Sequence, residues 1–173
     1  MPNNSLIYKS LSVILLMAHS TGCVTRTEYG RRRLMHIGGH QNIVSPEAYG
    51  IIDTAKLYQI ASAVAIFDGK PLNSVNQVYL KFYSNGRVGT FYSYSPGDVS
   101  TLNPKRADVG YYQYKEKHIE IKSFFEHPQG GGWVKEQIVK LHADTIQSSK
   151  DQILTKYKVL PLSPTFLVYK PDW

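Results

Sequence analysis

The stretch VYLKFYSNGRVGTFYSY, residues 78–94, has the pattern of two short β-strands joined by a tight turn. The pair Asn85-Gly86 lies between two runs of aromatic and β-branched residues, which is the strongest short-range signal for a β-hairpin. A two-residue type I′ turn needs positive φ at both central residues, and asparagine and glycine adopt that conformation at low cost. The stretch therefore predicts a hairpin centred on Asn85-Gly86.

The predicted turn also fixes which residues of the two strands share a face. With two residues in the turn, Phe82 pairs with Gly89 and Leu80 pairs with Phe91. Because side chains alternate along a strand, one face is apolar and the other carries amphipathic side chains. The core-facing residues are then Val78, Leu80, Phe82 and Phe91, and the opposite face carries Tyr79, Lys81 and Tyr83.

Further strand-like segments follow at similar spacing on both sides of this hairpin. A second hairpin is predicted from Gly110–Tyr114 through the charged turn Lys115–Lys117 into His118–Phe125. Ala61–Phe67 is rich in alanine, and a short helical turn is the alternative there. Elsewhere no stretch of ten or more residues holds a convincing helical period. The remaining candidate strands are Lys56–Gln59, Ala61–Phe67, Trp133–Leu141, Ile146–Gln147, Ile153–Leu160 and Thr165–Tyr169.

Eight to ten short strands with local turns predict an all-β fold, an antiparallel up-and-down meander that closes to hide its edges. A β-sandwich is the alternative. Over residues 49–173 the pattern resembles the small lipocalin-like barrels found among bacterial lipoproteins. The resemblance is carried by Leu80–Val88, by the successive hairpins and by the terminal strand Thr165–Tyr169. It implies one β-barrel domain over residues 48–173.

The N-terminus carries an apolar run that ends in Ser20-Thr21-Gly22-Cys23. Lys9 precedes the run, and the run is shorter than the roughly 20 residues that a spanning helix needs. The segment resembles the lipobox of bacterial lipoproteins. That resemblance implies that residues 1–22 are a signal peptide and that Cys23 is lipidated after cleavage. An ordinary signal peptide and an uncleaved membrane anchor remain as alternatives.

Residues 23–47 are interpreted as a flexible basic tether, since glycines interrupt them and no apolar period appears. Arg31, Arg32 and Arg33 are the densest basic cluster. A basic patch beside a lipid anchor strengthens membrane binding, so these arginines are candidate membrane-surface contacts. The alternative is a solvated tether without specific contacts. Since Cys23 is the single cysteine, no disulfide is expected.

The formal net charge of +7 favours anionic partners. An exported protein rarely meets nucleic acid, so we expect the membrane as a partner through the N-terminal lipid, and no nucleic acid. Val24-Thr25 follow Cys23, where enteric lipoproteins kept in the inner membrane have aspartate. The resemblance therefore implies an outer-membrane location with the domain facing the periplasm.

The sequence contains no catalytic motif that we recognise. It has no Gly-x-Ser-x-Gly elbow, no glycine-rich phosphate loop followed by lysine, and no cysteine nucleophile in the domain. His36 and His40 have helical metal-ligand spacing, but Gly38-Gly39 separates them and no third ligand accompanies them. We therefore expect no enzyme activity, no cofactor and no metal. Glu126-His127 is the acid–base pair to inspect first.

Aromatic side chains supply the candidate binding residues. Tyrosine buries ring area while its hydroxyl stays hydrated, and the chain has thirteen tyrosines. The candidates for binding a small apolar or anionic amphipathic ligand are Tyr79, Tyr83, Tyr92, Tyr111, Tyr114 and Trp133. The alternative is a protein-interaction or structural module of the envelope with a filled barrel.

The barrel interior should distinguish these two functions, because small inward residues leave a cavity and large ones fill it. The small residues in question are Gly89, Ala61, Ala63 and Ala65, and the large ones are Phe82, Phe91, Phe124 and Trp133.

Overall fold

The computed structural model describes residues 24–34, 44–72, 77–127, 130–142 and 144–173. Within these ranges the chain is all-β, without an α-helix, and no described helix is long and apolar enough to span a membrane. The strands are β1 Val24–Arg26, β2 Arg32–Leu34, β3 Lys56–Ala65, β4 Tyr79–Phe82, β5 Arg87–Phe91, β6 Asp108–Lys115, β7 His118–His127, β8 Gly130–His142, β9 Thr145–Lys150 and β10 Ile153–Pro161.

Strands β3 to β10 form a closed antiparallel barrel of eight strands. Each strand pairs with the next one along the chain, and β10 closes the barrel by pairing with β3. Closure leaves no unpaired edge, which explains why so many short strands are stable together. The prediction of an up-and-down meander closing into a lipocalin-like barrel is therefore confirmed, and the β-sandwich alternative is wrong.

The β4–β5 hairpin exists, but its turn differs from the predicted one. The Tyr83 amide donates to the Arg87 carbonyl at 2.9 Å, and the Gly86 amide donates to the Tyr83 carbonyl at 3.3 Å. The loop therefore has three residues, and among them Gly86 has a positive φ of 77°. This is the geometry of a turn followed by a glycine bulge, not of a type I′ turn.

The extra loop residue shifts the register of the hairpin by one. Phe82 pairs with Val88, and Tyr79 pairs with Phe91. A shift of one residue moves a side chain to the opposite face, so Phe91 lies outside the barrel instead of in the interior. Two-residue turns with positive φ at both positions close other hairpins, at Glu116-Lys117 and at Asp151-Gln152.

One half of the barrel interior is densely packed. The ring of Phe82 makes edge-on contacts with the rings of Tyr58 and Tyr112, both with centroids 5.2 Å apart. The 3₁₀ segment Pro46–Gly50 covers this end of the barrel. The buried residues of this inner cluster are Ala48, Ile52, Tyr58, Leu80, Phe82, Val88, Tyr112, Ile119, Ile121, Ile138, Ile146 and Tyr157.

A second apolar cluster lies on the outer surface of strands β3 to β5. The segment predicted as a final strand, Thr165–Tyr169, instead contains the 3₁₀ turn Pro164–Val168, in which the Phe166 amide donates to the Ser163 carbonyl at 3.0 Å. This turn presses Phe166 against the outside of the barrel. The cluster consists of Leu57, Tyr79, Phe91, Leu102, Ala107 and Phe166.

Strands β1 and β2 form a small hairpin that packs beside the barrel. Residues 24–34 thus differ from the flexible tether predicted for residues 23–47. The physical reason is the side chain of Arg33, which is 8 % exposed and donates to the carbonyls of Pro104 at 2.7 Å and Ala107 at 3.2 Å. The predicted signal peptide, residues 1–22, and Cys23 lie outside the described residues, as do His36 and His40.

Candidate functional site

The half of the barrel interior opposite the packed end contains a cavity of about 450 Å³. Its lining residues lie towards the C-terminal ends of β3, β5, β7 and β9 and towards the N-terminal ends of β4, β6, β8 and β10. Its wall contains small and polar side chains where the packed half has large apolar ones. The lining residues are Ile60, Ala63, Leu72, Val78, Leu80, Thr90, Tyr92, Asp108, Ser123, Phe124, Phe125, Val134, Glu136, Lys150, Asp151, Ile153, Thr155 and Tyr157.

Glu136 is the most unusual residue of this wall. It occupies an inward position of β8, directly opposite Ile121 of β7. The hydroxyl of Tyr157 donates to its carboxylate oxygen Oε1 at 3.2 Å. Burial raises the pKa of Glu136, and the nearby Ser148, Lys150 and Tyr157 only partly offset that effect. The cavity therefore contains a buried carboxyl group with a raised proton affinity.

Ser148 lies on β9 beside this carboxyl group and is 1 % exposed. It pairs with Ile138 of β8 and Thr155 of β10, so it faces the barrel interior. Its hydroxyl has no hydrogen bond of good geometry among the described residues, although it is close enough to lower the pKa of Glu136. Buried polar atoms are normally paired, so this hydroxyl is an exception to explain.

A second carboxylate, that of Asp108, lies at the mouth of the cavity. It accepts a hydrogen bond from the Tyr92 hydroxyl at 2.6 Å and pairs with the Arg31 guanidinium at 2.9 Å. The Arg31 guanidinium also lies 4.9 Å from the centre of the Tyr92 ring. Burial, followed by the contact with Asp108, raises the pKa of Tyr92. Arg31 thus connects the β1–β2 hairpin to the cavity mouth.

The six aromatic candidates do not form one site. Tyr92 alone among them lines the cavity, and Tyr114 packs against the inner cluster. Tyr79 and Tyr83 are buried outside the barrel, under the C-terminal segment. Tyr111 and Trp133 are neighbours on the outer surface, with ring centroids 6.2 Å apart.

The three candidate membrane-contact arginines face the barrel in this structure. Arg31 pairs with Asp108, Arg32 lies 3.1 Å from Glu126, and Arg33 lies 3.2 Å from Asp172. The Glu126 carboxylate is thereby engaged in ion pairing. The side chain of its neighbour His127 is outside the described part of the structure.

The sequence contains a signal for Glu136 in the alternation of residues along β8. Val134, Glu136 and Ile138 alternate along β8, and both flanking residues face the interior. A charged residue at the middle position of such an alternation is placed inside the barrel by the pleat. The same reasoning applies to Asp108, which lies two residues before the inward Gly110 of β6.

A separate groove of about 420 Å³ on the outer surface exposes part of Lys81. Lys81 is 4 % exposed, and its ammonium donates to the carbonyls of Thr54 and Phe82. Burial lowers its pKa to about 8, although Asp53 opposes the shift. The ammonium nitrogen also lies 5.5 Å from the centre of the Tyr83 ring. This contact and the two carbonyl acceptors give Lys81 a structural role.

No protein-family model matches the chain, and no curated protein or solved structure matches it either. Among the described residues, no group of three or more histidine, cysteine, aspartate or glutamate side chains is arranged to hold a metal ion. Function is therefore inferred from the cavity and its wall.

Proposed function

We propose that the barrel binds a small molecule in its open half, without catalysis. The observation that carries this proposal is the half-filled interior. A cavity of about 450 Å³ falls within the range of about 300–1,000 Å³ that is typical of small-molecule sites. A barrel of eight strands is just wide enough either to be filled by side chains or to hold one small ligand.

The wall of the cavity supports an amphipathic ligand. Ile60, Val134 and Ile153 offer an apolar surface, and Glu136 offers a polar group at a defined position. A few polar groups on an apolar wall are the usual composition of a recognition site. Among the described residues of this wall, no hydroxyl is hydrogen-bonded to a histidine or lysine base, which supports binding without chemistry.

We further propose that the protein is an envelope lipoprotein, anchored through Cys23 in the outer membrane and facing the periplasm. The support is the apolar run that ends in Gly22-Cys23. Feeding cells a clickable fatty acid tests this: the wild-type protein should be labelled, and Cys23→Ser should remain unlabelled and unprocessed. Wild-type protein without label would refute lipidation, and protease digestion of the domain in intact cells would refute the periplasmic orientation.

A fluorescent probe tests the cavity. N-phenyl-1-naphthylamine, an uncharged amphiphile, should bind the full chain and gain fluorescence. Ala63 lines the cavity, whereas Ala61 on the same strand is exposed. Ala63→Phe should therefore weaken probe binding at least tenfold, and Ala61→Phe should leave it unchanged. Thermal unfolding checks that both variants fold. Ala63→Val adds a smaller side chain than phenylalanine, so it should weaken probe binding by an intermediate amount. Equal binding by all variants would exclude the cavity as the site.

An outer apolar surface favours a second candidate function, docking of an envelope protein. Trp133 is 44 % exposed, and Val139 and Leu141 on the same strand are also exposed. Exposed aromatic and aliphatic residues on one strand are typical of interaction surfaces. Crosslinking from a photoreactive residue at position 139 in cells tests this function, because a docked partner would yield a discrete adduct.

A further inference from the structure

The interior of the open half is acidic although the chain as a whole is basic. The chain has 20 lysine and arginine residues and 13 acidic ones, yet three acidic side chains, Asp108, Glu136 and Asp151, line the cavity against one lysine, Lys150. Asp151 is exposed in the β9–β10 turn, so Asp108 and Glu136 are the two carboxylates at inward strand positions. Placing a carboxylate in a poorly hydrated interior is costly unless a cation or hydrogen-bond donors compensate it. Each of the two carboxylates therefore needs an explanation from its surroundings.

Asp108 already pairs with a cation, the Arg31 side chain. The Arg31 guanidinium lies between the Asp108 carboxylate at 2.9 Å and the face of the Tyr92 ring at 4.9 Å. A carboxylate beside an aromatic face is the combination that recognises organic cations, by charge-assisted hydrogen bonding and by cation–π attraction. The mouth of the cavity is thus built to hold a guanidinium group, and the chain itself supplies that group.

Glu136 has no comparable partner among the described residues. Its hydrogen bond comes from the neutral hydroxyl of Tyr157 at 3.2 Å, and it makes no ion pair in this part of the chain. Lys150 lines the same cavity and acts on Glu136 only through its charge. The neighbouring Ser148 hydroxyl lowers the pKa of Glu136, but it is neutral and does not belong to the cavity wall. The Glu136 carboxyl group thus faces the cavity with neutral hydroxyl donors and, among the described residues, without an ion-pair partner, which points to a cation that a ligand would bring.

We propose that the cavity binds an organic cation, an alkylammonium or alkylguanidinium, whose N–H groups donate to the Glu136 carboxylate. The alkyl part would lie along the apolar wall formed by Ile60, Val134 and Ile153. This inference rests on the proposed ligand-binding function and names the ligand class. It differs from the small apolar or anionic amphipathic ligand expected from the sequence, because an anion would meet the Glu136 carboxyl group.

Electrostatic attraction inside the cavity explains why a cation would bind more tightly than a neutral ligand of the same shape. A cation that reaches Glu136 favours the carboxylate form, and the two charges attract more strongly there than in water because the effective dielectric constant is lower. A neutral ligand of the same shape gains only the apolar contacts and one neutral hydrogen bond, which is weaker than a charge-assisted one. Lys150 lines the same cavity and acts on Glu136 through its charge, so it reduces the preference for cations.

A head-group series tests the inference on the full chain at pH 7. Octylammonium, octan-1-ol and octanoate share one alkyl chain and differ in charge, and each is measured by displacement of N-phenyl-1-naphthylamine. Octylammonium should bind at least tenfold more tightly than octan-1-ol, and octanoate should bind most weakly. Glu136→Gln should remove the preference for octylammonium while keeping the affinity for octan-1-ol.

Glu120→Gln is the matched control, because Glu120 lies on the neighbouring strand and faces outward, opposite Gln137. It should leave the preference unchanged. Equal affinities of the three amphiphiles for wild type, all lost in Ala63→Phe, would overturn the cation inference and keep the ligand-binding proposal. Binding of all three that is insensitive to Ala63→Phe would overturn both. The head-group comparison in wild type needs no variant, so a Glu136→Gln protein that does not fold leaves the test intact.

Discussion

The two halves of the barrel interior use the same strands for different purposes. In the packed half, Val88, Tyr112 and Ile121 are at most 1 % exposed and fill the space between the strands. In the open half, the same strands carry Thr90, Asp108 and Ser123, which are too small to fill it. Side-chain volume along each strand, not the backbone, therefore decides which half of the interior is filled and which half contains a cavity.

Gly110 marks the boundary between the halves. It lies on β6 between Asp108 of the open half and Tyr112 of the packed half. A Cβ atom there would lie 2.9 Å from a methyl carbon of Val88 and 3.1 Å from the carbonyl oxygen of Lys122. Such contacts are too short, so β5 and β7 approach β6 closely at this point. The side chains of Val88 and Ser123 therefore take the space that a side chain at position 110 would need.

The largest effect is expected when side-chain volume is removed from each half of the interior in turn. Phe82→Ala in the packed half should lower the free energy of unfolding by about 3–5 kcal/mol, because it deletes a buried ring that contacts two others. Val134→Ala in the open half should cost at most about 1.5 kcal/mol, since Val134 lines an existing cavity. Urea titration of the full chain measures both. Equal losses would mean that the two halves do not differ in packing.

The alternating sequence predicted the closed barrel, but not the details of its turns. Runs such as residues 78–83 and 118–125 specify strands through their period of two. The Asn85-Gly86 pair is compatible with a two-residue and with a three-residue loop, because both place Gly86 at positive φ. The sequence cannot choose between them, and the choice moves Phe91 from one face to the other.

The site was harder to predict than the fold for a related reason. Tyr79 and Leu80 are both buried, since the C-terminal segment covers the outer face of β4 while the barrel core covers the inner one. An aromatic residue on such a strand carries no information about ligand binding. A carboxylate at an inward position is more informative, because burial without a partner is unfavourable. Glu136 is the example in this chain.

An intermediate loss of stability is expected from changes in the turn that closes the packed half. Gly86 has a φ of 77°, and its carbonyl accepts a hydrogen bond from the Tyr112 amide at 2.9 Å. Gly86→Val should cost on the order of 1–3 kcal/mol, because a β-branched residue is strained at positive φ. Arg87→Ala, one residue further, should cost less than about 0.5 kcal/mol. Equal urea midpoints for the two variants would contradict the glycine-dependent turn.

The smallest expected effect concerns pH and the open half. Burial raises the pKa of Glu136 above its ordinary value, so the folded state binds this proton more tightly than the unfolded state. Wild type should therefore lose stability as the pH rises, in a window that begins near the unfolded pKa of about 4.3 and ends at the raised folded pKa. Glu136→Gln has no such proton, so it should be as stable as wild type near pH 4 and more stable at pH 7. The gain should be on the order of 1 kcal/mol for each unit by which folding raises the pKa.

Glu120 provides a control of opposite sign for this pH dependence. Desolvation opposes its ionisation, but hydrogen bonds from Gln113 and Lys115 outweigh it and lower the pKa of Glu120. Its contribution to stability is present above the unfolded pKa and is lost as the pH falls, so Glu120→Gln should destabilise the protein at pH 7. Urea titrations of both variants at pH 4 and pH 7 measure the contrast. A Glu136→Gln protein that is less stable than wild type at pH 7 would mean that the carboxylate already has a compensating partner, and the open half would then be a satisfied polar core instead of a binding cavity.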